Sequence, residues 1–463
     1  MVQRIIKIAI AGLILLLCTG TSAFTTVNES LSQFVIYFEG ANEIDKNVTV
    51  TIDRLELISD EGTFSFQPLV KQISSISHAN RQFLFLEELI EPYKYTKLKL
   101  YFSQIEVVAE RAKIYPEIDS NGYALEFDLS FSSGATTVLF LGWKAQNDYY
   151  TDNIYQAIFY RNYKSIPPIG SVYFVSNEKS NNISVIDRDE YKVINVVRAG
   201  TGPTEMVYSP FNNQLIVSNT KSNSLSIIDA SVNRLIKSII RDYSDETIKM
   251  LLSPDQLTLF LLNARSNTLT SFDLNSFQEK ERVYLDFTPL DMALHELSGN
   301  IYITYEFSRE ISLYNIYSRQ LVTSYQLPYE ASAVAVNNRK EIIYYAQPTQ
   351  RSVSSFSPTD GSAASTINIC GSPLDLVYST TLQMLYASVP ECKEIVFIKP
   401  SQNIEIGSIV TTEKPGRIAV DNRNRQLVVP LADANKIVVY NTHNRQKTAE
   451  IEVGKSPYMV LIP

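Results

Sequence analysis

VYFVSNEKSNNISVID, Val172 to Asp187, consists of two short apolar runs separated by a polar turn of Asn, Ser and Lys. The arrangement returns as LIVSNTKSNSLSIID (Leu215–Asp229) and LFLLNARSNTLTSFD (Leu259–Asp273). Looser copies are IYITYEFSREISLYN (Ile301–Asn315), IIYYAQPTQRSVSSFS (Ile342–Ser357), LYASVPECKEIVFIK (Leu385–Lys399) and LVVPLADANKIVVYN (Leu427–Asn441). Between copies lie a β-rich run such as KVINVV (Lys192–Val197) and an apolar run opened by Pro or an acidic residue, as in PTEMVYSP (Pro203–Pro210). Such runs, rich in Val, Ile, Tyr and Thr and bounded by turn residues, are too short for helices and read as strands.

The anchors ahead of each unit are Pro203, Glu246, Pro289, Glu330, Pro373, Pro415 and Pro457, spaced by 43, 43, 41, 43, 42 and 42 residues. Four strands in a period of about 40–45 residues predict a β-propeller. The first copy lacks a leading strand, and PYMVLIP (Pro457–Pro463) has no partners after it. If this C-terminal strand completes the first unit, the ring closes and two exposed sheet edges disappear. The expected fold is therefore all-β, with a seven-bladed β-propeller over residues 169–463.

IVSNTKSNSLSIID, AGTGPTEMVYSP and LLSPDQ resemble the surface-layer-type, or YVTN, propeller repeat. The resemblance covers about Ile169–Pro463. It implies the fold and no shared catalytic motif. The later units depart from it, with Tyr305, Gln347 and Leu431 where the early ones have Asn.

The 463 residues carry a net charge of −8, and no Lys/Arg cluster offsets it, which argues against a nucleic-acid surface. Residues 1–23 read as an export signal. Arg4 and Lys7 form the basic end, Ile8–Leu17 the apolar core, and Thr21-Ser22-Ala23 the small residues before a cut at Ala23/Phe24. The rival reading is a lipid anchor on Cys18, although Leu17 stands where a lipoprotein signal wants a small residue. No later segment is long and apolar enough to span a membrane as a helix. The expected location is the periplasm or the cell surface.

Residues 24–165 lack the period. Strand-like runs are Gln33–Phe38, Val48–Leu57, Gln82–Leu86, Lys97–Val108, Tyr123–Phe131 and Thr136–Trp143, with Phe83–Ile90 the one doubtful, helix-compatible piece. Alternation in VTVTIDRLELI points to an antiparallel β-sandwich. NVTVTIDRLEL (Asn47–Leu57) and PYKYTKLKLYFSQIEVV (Pro92–Val108) resemble an uncharacterised domain found near the N-termini of exported bacterial and archaeal proteins. That resemblance implies a prealbumin-like sandwich. The aromatic-rich Gln146–Tyr163 reads as a last strand plus the contact with the ring, or as a sugar- or surface-binding patch. Pro167-Pro168 then stiffens the lead into the ring.

After signal removal two cysteines remain. In the repeat register Cys370 lies in the loop leading into the sixth blade, and Cys392 lies between that blade's second and third strands. Both loops open on one face. In an oxidising compartment they should form a disulfide, the alternative being two buried thiols. The three histidines, His78, His295 and His443, have no metal-ligand spacing and lie beside no cysteine. There is no haem-attachment motif, nucleophile elbow or phosphate loop. No catalytic, metal or cofactor residue is therefore expected. Asp187, Asp229 and Asp273 end strands and read as turn-capping residues rather than a metal ring.

The face bearing the leading loops offers Arg241, Tyr243, Glu246, Tyr305, Arg309 and Tyr329 as partner-binding candidates. The functional expectation is an exported, monomeric, non-catalytic scaffold that binds a protein or polysaccharide of the cell envelope. The alternative is a periplasmic propeller enzyme of lactonase or redox type.

Overall fold

In this computed structural model the described residues are 30–40, 47–109, 112–144, 150–151, 154–155, 158–242, 245–359 and 363–463. Among them strand follows strand, and the helices are single 3-10 turns.

The N-terminal part forms two facing sheets over one core. One sheet runs, edge to edge, Ile158–Asn162, Thr136–Lys144, Ser32–Glu39 and Gln82–Ile90. The other is built on the pair Asn47–Ser59 and Lys94–Ala109. Alternation does the work expected of it: Val48, Val50 and Ile52 point inward, the register slips at Asp53, and Leu55 and Leu57 resume the inward phase. Phe34, Phe38, Phe85 and Trp143 fill the space between the sheets.

One expectation is extended here and one is corrected. Gln82–Ile90 is strand throughout. Ser32–Glu39 pairs with Thr136–Lys144 in parallel, so this part is not wholly antiparallel. Alternation tells which face a residue takes and nothing about the direction of its partner, which is why the sequence did not reveal this pairing. The last strand, Ile158–Asn162, sends Phe159 into the core. The rest of the aromatic-rich stretch is only partly within the described residues.

Seven four-stranded antiparallel sheets follow among the described residues. Each takes four consecutive strands, except the first, which joins Val172–Asn177, Asn182–Asp187 and Lys192–Arg198 to Pro457–Leu461. The leading strands begin at Pro203, Thr247, Pro289, Val334, Asp375, Ala419 and Pro457. Each touches the next in cyclic order, and Pro457–Leu461 touches both Ala419–Asp421 and Pro203–Ser209. Register moves one anchor: Thr247, not Glu246, sits opposite Asn263 as Pro203 sits opposite Asn219.

The recurring Asn of the early units is a latch. Asn177 Nδ2 donates to Asn182 Oδ1 and Ser184 Oγ, Asn219 to Ser224 and Ser226, and Asn263 to Thr268 and Thr270, all at 2.9–3.1 Å. Partners five and seven residues on lie across the hairpin on one face, so one amide ties both strands. Gln347 keeps the geometry with polarity reversed, accepting from Ser352 and Ser354. The strand-ending Asp187, Asp229 and Asp273 accept backbone N–H groups of the following turns, as do Asn315 and Asn441.

Cys370 and Cys392 are bonded, with Cα atoms 6.3 Å apart and a sequence separation of 22. Replacing both with Ser is expected to lower stability by about 3 kcal/mol on the chain-entropy scale. Intact mass of the wild-type chain should rise by two hydrogens on reduction. An unchanged mass would mean free thiols.

The two parts share a core. Val35, Tyr37, Leu84 and Phe140 pack with Val193, Val196, Val439, Ile451 and Val460, in the seam between the last and first ring sheets. Ser32–Glu39 is therefore buried on both faces. Gln82 ties the edge of the contact, donating to Val193 O at 2.9 Å and accepting from Val193 N at 2.7 Å. Glu87 accepts from Gln33, Ser180 and Asn182.

Burial holds the Glu87 carboxyl above its ordinary range, and Ser180, Lys455 and Asn182 offset this only in part. The folded state therefore holds this proton more tightly than the unfolded chain. Stability from this group should be greatest below the ordinary Glu value and fall as pH rises through the raised one. Melting temperature, followed from about pH 4 to about pH 7, should fall in part through this group, and Glu87→Gln should remove that part and be the more stable form near pH 7. Parallel profiles for the two proteins would refute it.

Candidate functional site

The leading strand of each ring sheet, or the one or two residues just ahead of it, carries one residue at the same register. In chain order these are Glu205, Lys249, Asp291, Ala333, Asp375, Arg417 and Met459. In three sheets the next residue, Met206, Met250 or Met292, turns into the inter-sheet core. Period-two alternation then aims its charged neighbour at the common axis. The ion pairs agree. Arg417 Nε lies 3.5 Å from Glu205 Oε1, and its Nη1 lies 3.8 Å from both Asp291 Oδ1 and Asp375 Oδ1. Those carboxylates come from the second, fourth and sixth ring sheets, and only residues on the axis can meet from so many sides. Lys249 Nζ adds a contact of 3.2 Å to Asp291.

The cluster is nearly closed to water: the Glu205, Asp291 and Asp375 side chains are at most 5% exposed, and Arg417 is 17% exposed. Each Asp also ties to the backbone of a neighbouring sheet. Asp291 Oδ2 accepts from Val334 N at 3.1 Å and Asp375 Oδ2 from Ile418 N at 2.9 Å. Burial pulls the Arg417 and Lys249 values down, but the surrounding carboxylates outweigh it and both end raised, so both stay charged. Three acids against two bases leave the centre almost self-compensated. Such a cluster binds sheet to sheet through charge, and Glu205 Oε1 and Asp291 Oδ1 are held by ion pairs alone, without a hydrogen bond. Sequence reasoning missed it, although the signal was there: Glu205, Asp291, Asp375 and Arg417 each stand two residues after an anchor proline.

The rim around this axis carries the partner-binding candidates, and the structure divides them. Arg241 and Tyr305 are corrected: both are buried. Arg241 donates to Asp245 Oδ2 at 2.5 Å and lies over the Phe272 ring. Asp245 is fully buried and also takes Arg282 at 2.6 Å. Burial lowers the Arg241 value, while hydrogen bonds to Glu279 and Asp245 raise that of Arg282. Tyr305 packs in the core with its ring 5.9 Å from Phe287, edge to face. Loop-like composition hid the fact that these two side chains turn inward. Tyr243 lies outside the described residues.

Glu246 remains at the surface, paired with Arg265 at 3.0 Å. Arg309 is exposed, and Tyr329 is 46% exposed. Phe307 and Phe287, neither anticipated, add exposed aromatic rings at 83% and 42%. Phe307 could have been noticed, because a phenylalanine interrupts a turn that is polar in the early copies. Phe307, Arg309, Phe287 and Tyr329 sit on loops of the fourth and fifth ring sheets that open toward the same end. The other ionisable candidates do not join this group. His295 is buried and bonded to Ser298 and Asn338 O, while His78 lies in the N-terminal part.

These features define an all-β protein of the propeller-like kind. No family model and no curated protein matches the chain. Solved structures do, at the level of fold. A dihydro-heme d1 dehydrogenase NirN in complex with DHE aligns with TM-score 0.54 and 10% identity, over 65% of this chain and 76% of that one. Kuenenia stuttgartiensis hydrazine synthase aligns with TM-score 0.53 and 15% identity, over 59% and 93%. A functionally unknown protein from Desulfotomaculum acetoxidans DSM 771 aligns with TM-score 0.55 and 9% identity, over 63% and 98%.

Proposed function

We propose that the chain is an exported binding scaffold of the cell envelope, a seven-bladed propeller of the YVTN type closed by its C-terminal strand and preceded by a β-sandwich. The partner is a protein or polysaccharide met by the loops of the fourth and fifth blades. The observation that carries this is the pairing of an axis filled by a compensated charge cluster with a rim that leaves Phe307, Phe287, Tyr329 and Arg309 uncovered. Aromatic and arginine side chains are the usual anchors of binding surfaces. The signal-like residues 1–23 and the Cys370–Cys392 bond fit export to an oxidising compartment.

The test uses immobilised full chain and detergent-solubilised envelope material. The wild type should retain a specific component, and Phe307→Ala/Arg309→Ala/Tyr329→Ala should weaken retention about tenfold or more. Equal retention by both proteins removes this face from the reading. A second reading, a periplasmic propeller enzyme, draws support from the fold likeness to proteins named as a dehydrogenase and a hydrazine synthase. It predicts turnover that survives the triple rim substitution.

A further inference from the structure

A cleft of about 420 Å³ opens where the two parts meet, away from the rim. One wall is the segment around His78–Phe83. The other is made by the turn Glu190–Lys192 of the first ring sheet and by Lys447–Glu452, the outer strand of the last. The walls are fixed before any ligand arrives. Gln82 clasps the Val193 backbone from both sides, and the shared core lies behind it. Small-molecule sites favour such domain junctions and this range of volume.

The polar groups here fall into two sets. Lys436 and Lys447 are spent on Glu450, at 2.7 and 2.9 Å. Arg81, Lys192, Glu190 and Glu452 have no side-chain partner among the described residues. His78 Nδ1 accepts the Ser74 amide at 3.1 Å, which puts the ring proton on Nε2, and that atom too has no partner among them. Strong donors and strong acceptors therefore stand unused in similar number around one space. A polyanion would meet Glu190 and Glu452, and a polycation would meet Arg81 and Lys192. Hydroxyl groups suit both, since each donates and accepts. Hydrogen bonds to charged partners are the stronger kind. Val70, half-buried in the lining, gives it an apolar part against which the C–H face of a sugar ring can lie, with the buried Phe83 and Ile451 behind the walls.

We propose that this cleft is a saccharide-binding site that takes one hydroxyl-rich sugar unit, with Arg81, Lys192 and His78 donating and Glu190 and Glu452 accepting. It is separate from the rim proposed to meet the envelope partner. The experiment is saturation-transfer NMR and calorimetric titration of the full chain with glucose, galactose and N-acetylglucosamine, with citrate and spermidine as charged controls. At least one sugar should bind saturably. Arg81→Ala and Glu452→Gln should each weaken it by about tenfold, the loss expected for one charge-assisted hydrogen bond. Lys192→Gln gives a third, independent variant. Phe307→Ala/Arg309→Ala/Tyr329→Ala should leave sugar binding intact, so the two sites can fail separately. The proposal is overturned if no sugar binds, if only citrate or spermidine binds, or if sugar affinity is the same in all three cleft variants.

Discussion

Arg417→Met should destabilise the ring by about 3–5 kcal/mol, the range for removing one partner from a buried ion cluster. The substitution keeps most of the side-chain volume but withdraws the one cation that meets Glu205, Asp291 and Asp375 together. The remaining carboxylates face one another along the axis with only Lys249 between them. A compensating variant separates charge from packing. Arg417→Met with Glu205→Gln and Asp375→Asn leaves the Lys249–Asp291 pair in place and should recover most of the loss, because replacing all members of a buried cluster is far less costly than orphaning some. Urea unfolding of the three proteins decides the matter. If Arg417→Met unfolds at the wild-type midpoint, the cluster is not what binds the sheets at the axis.

Removal of residues 457–463 is the second large effect. The first ring sheet draws three strands from residues 172–198 and its leading strand from Pro457–Leu461, paired as Phe174 with Leu461 and Val175 with Val460. Without it, Val172–Asn177 becomes an unpaired edge, and Val460 leaves the core that binds the N-terminal part to the ring. The truncated chain should show no cooperative thermal transition by circular dichroism. Val460→Ala is a gentler probe of the same contact and should cost about 2 kcal/mol. A truncated chain that melts like the full one would refute closure through this strand.

The repeat was legible because each unit spends its polar residues in the same places. The Asn latch and the turn-capping Asp recur at fixed offsets, and the physical reason for the offsets is the hairpin geometry they serve. The inward-facing residues of Asn47–Leu57 were legible from alternation alone. What stayed hidden depends on distances between segments far apart in sequence. The parallel pairing of Ser32–Glu39 left one hint, an apolar run without alternation, which fits a strand covered on both faces. The axial charges looked like ordinary loop charges one at a time, and only the ring brings Arg417 to three acids 42, 126 and 212 residues away. At the rim, composition did not tell which side chains turn inward, and the structure leaves Arg309 and Tyr329 outside while Arg241 and Tyr305 are inside.

The core shared by the two parts also sets an order of events in biosynthesis. Val35, Tyr37, Leu84 and Phe140 leave the ribosome well before Val439, Ile451 and Val460, which cover them. Until those later strands exist, a nascent chain carries an uncovered aromatic and aliphatic face, the kind of surface that associates wrongly with other copies. Docking therefore waits on synthesis: the N-terminal part is buried here only once Pro457–Leu461 is in place, and a chain interrupted before that point keeps the same face open to chaperones and proteases.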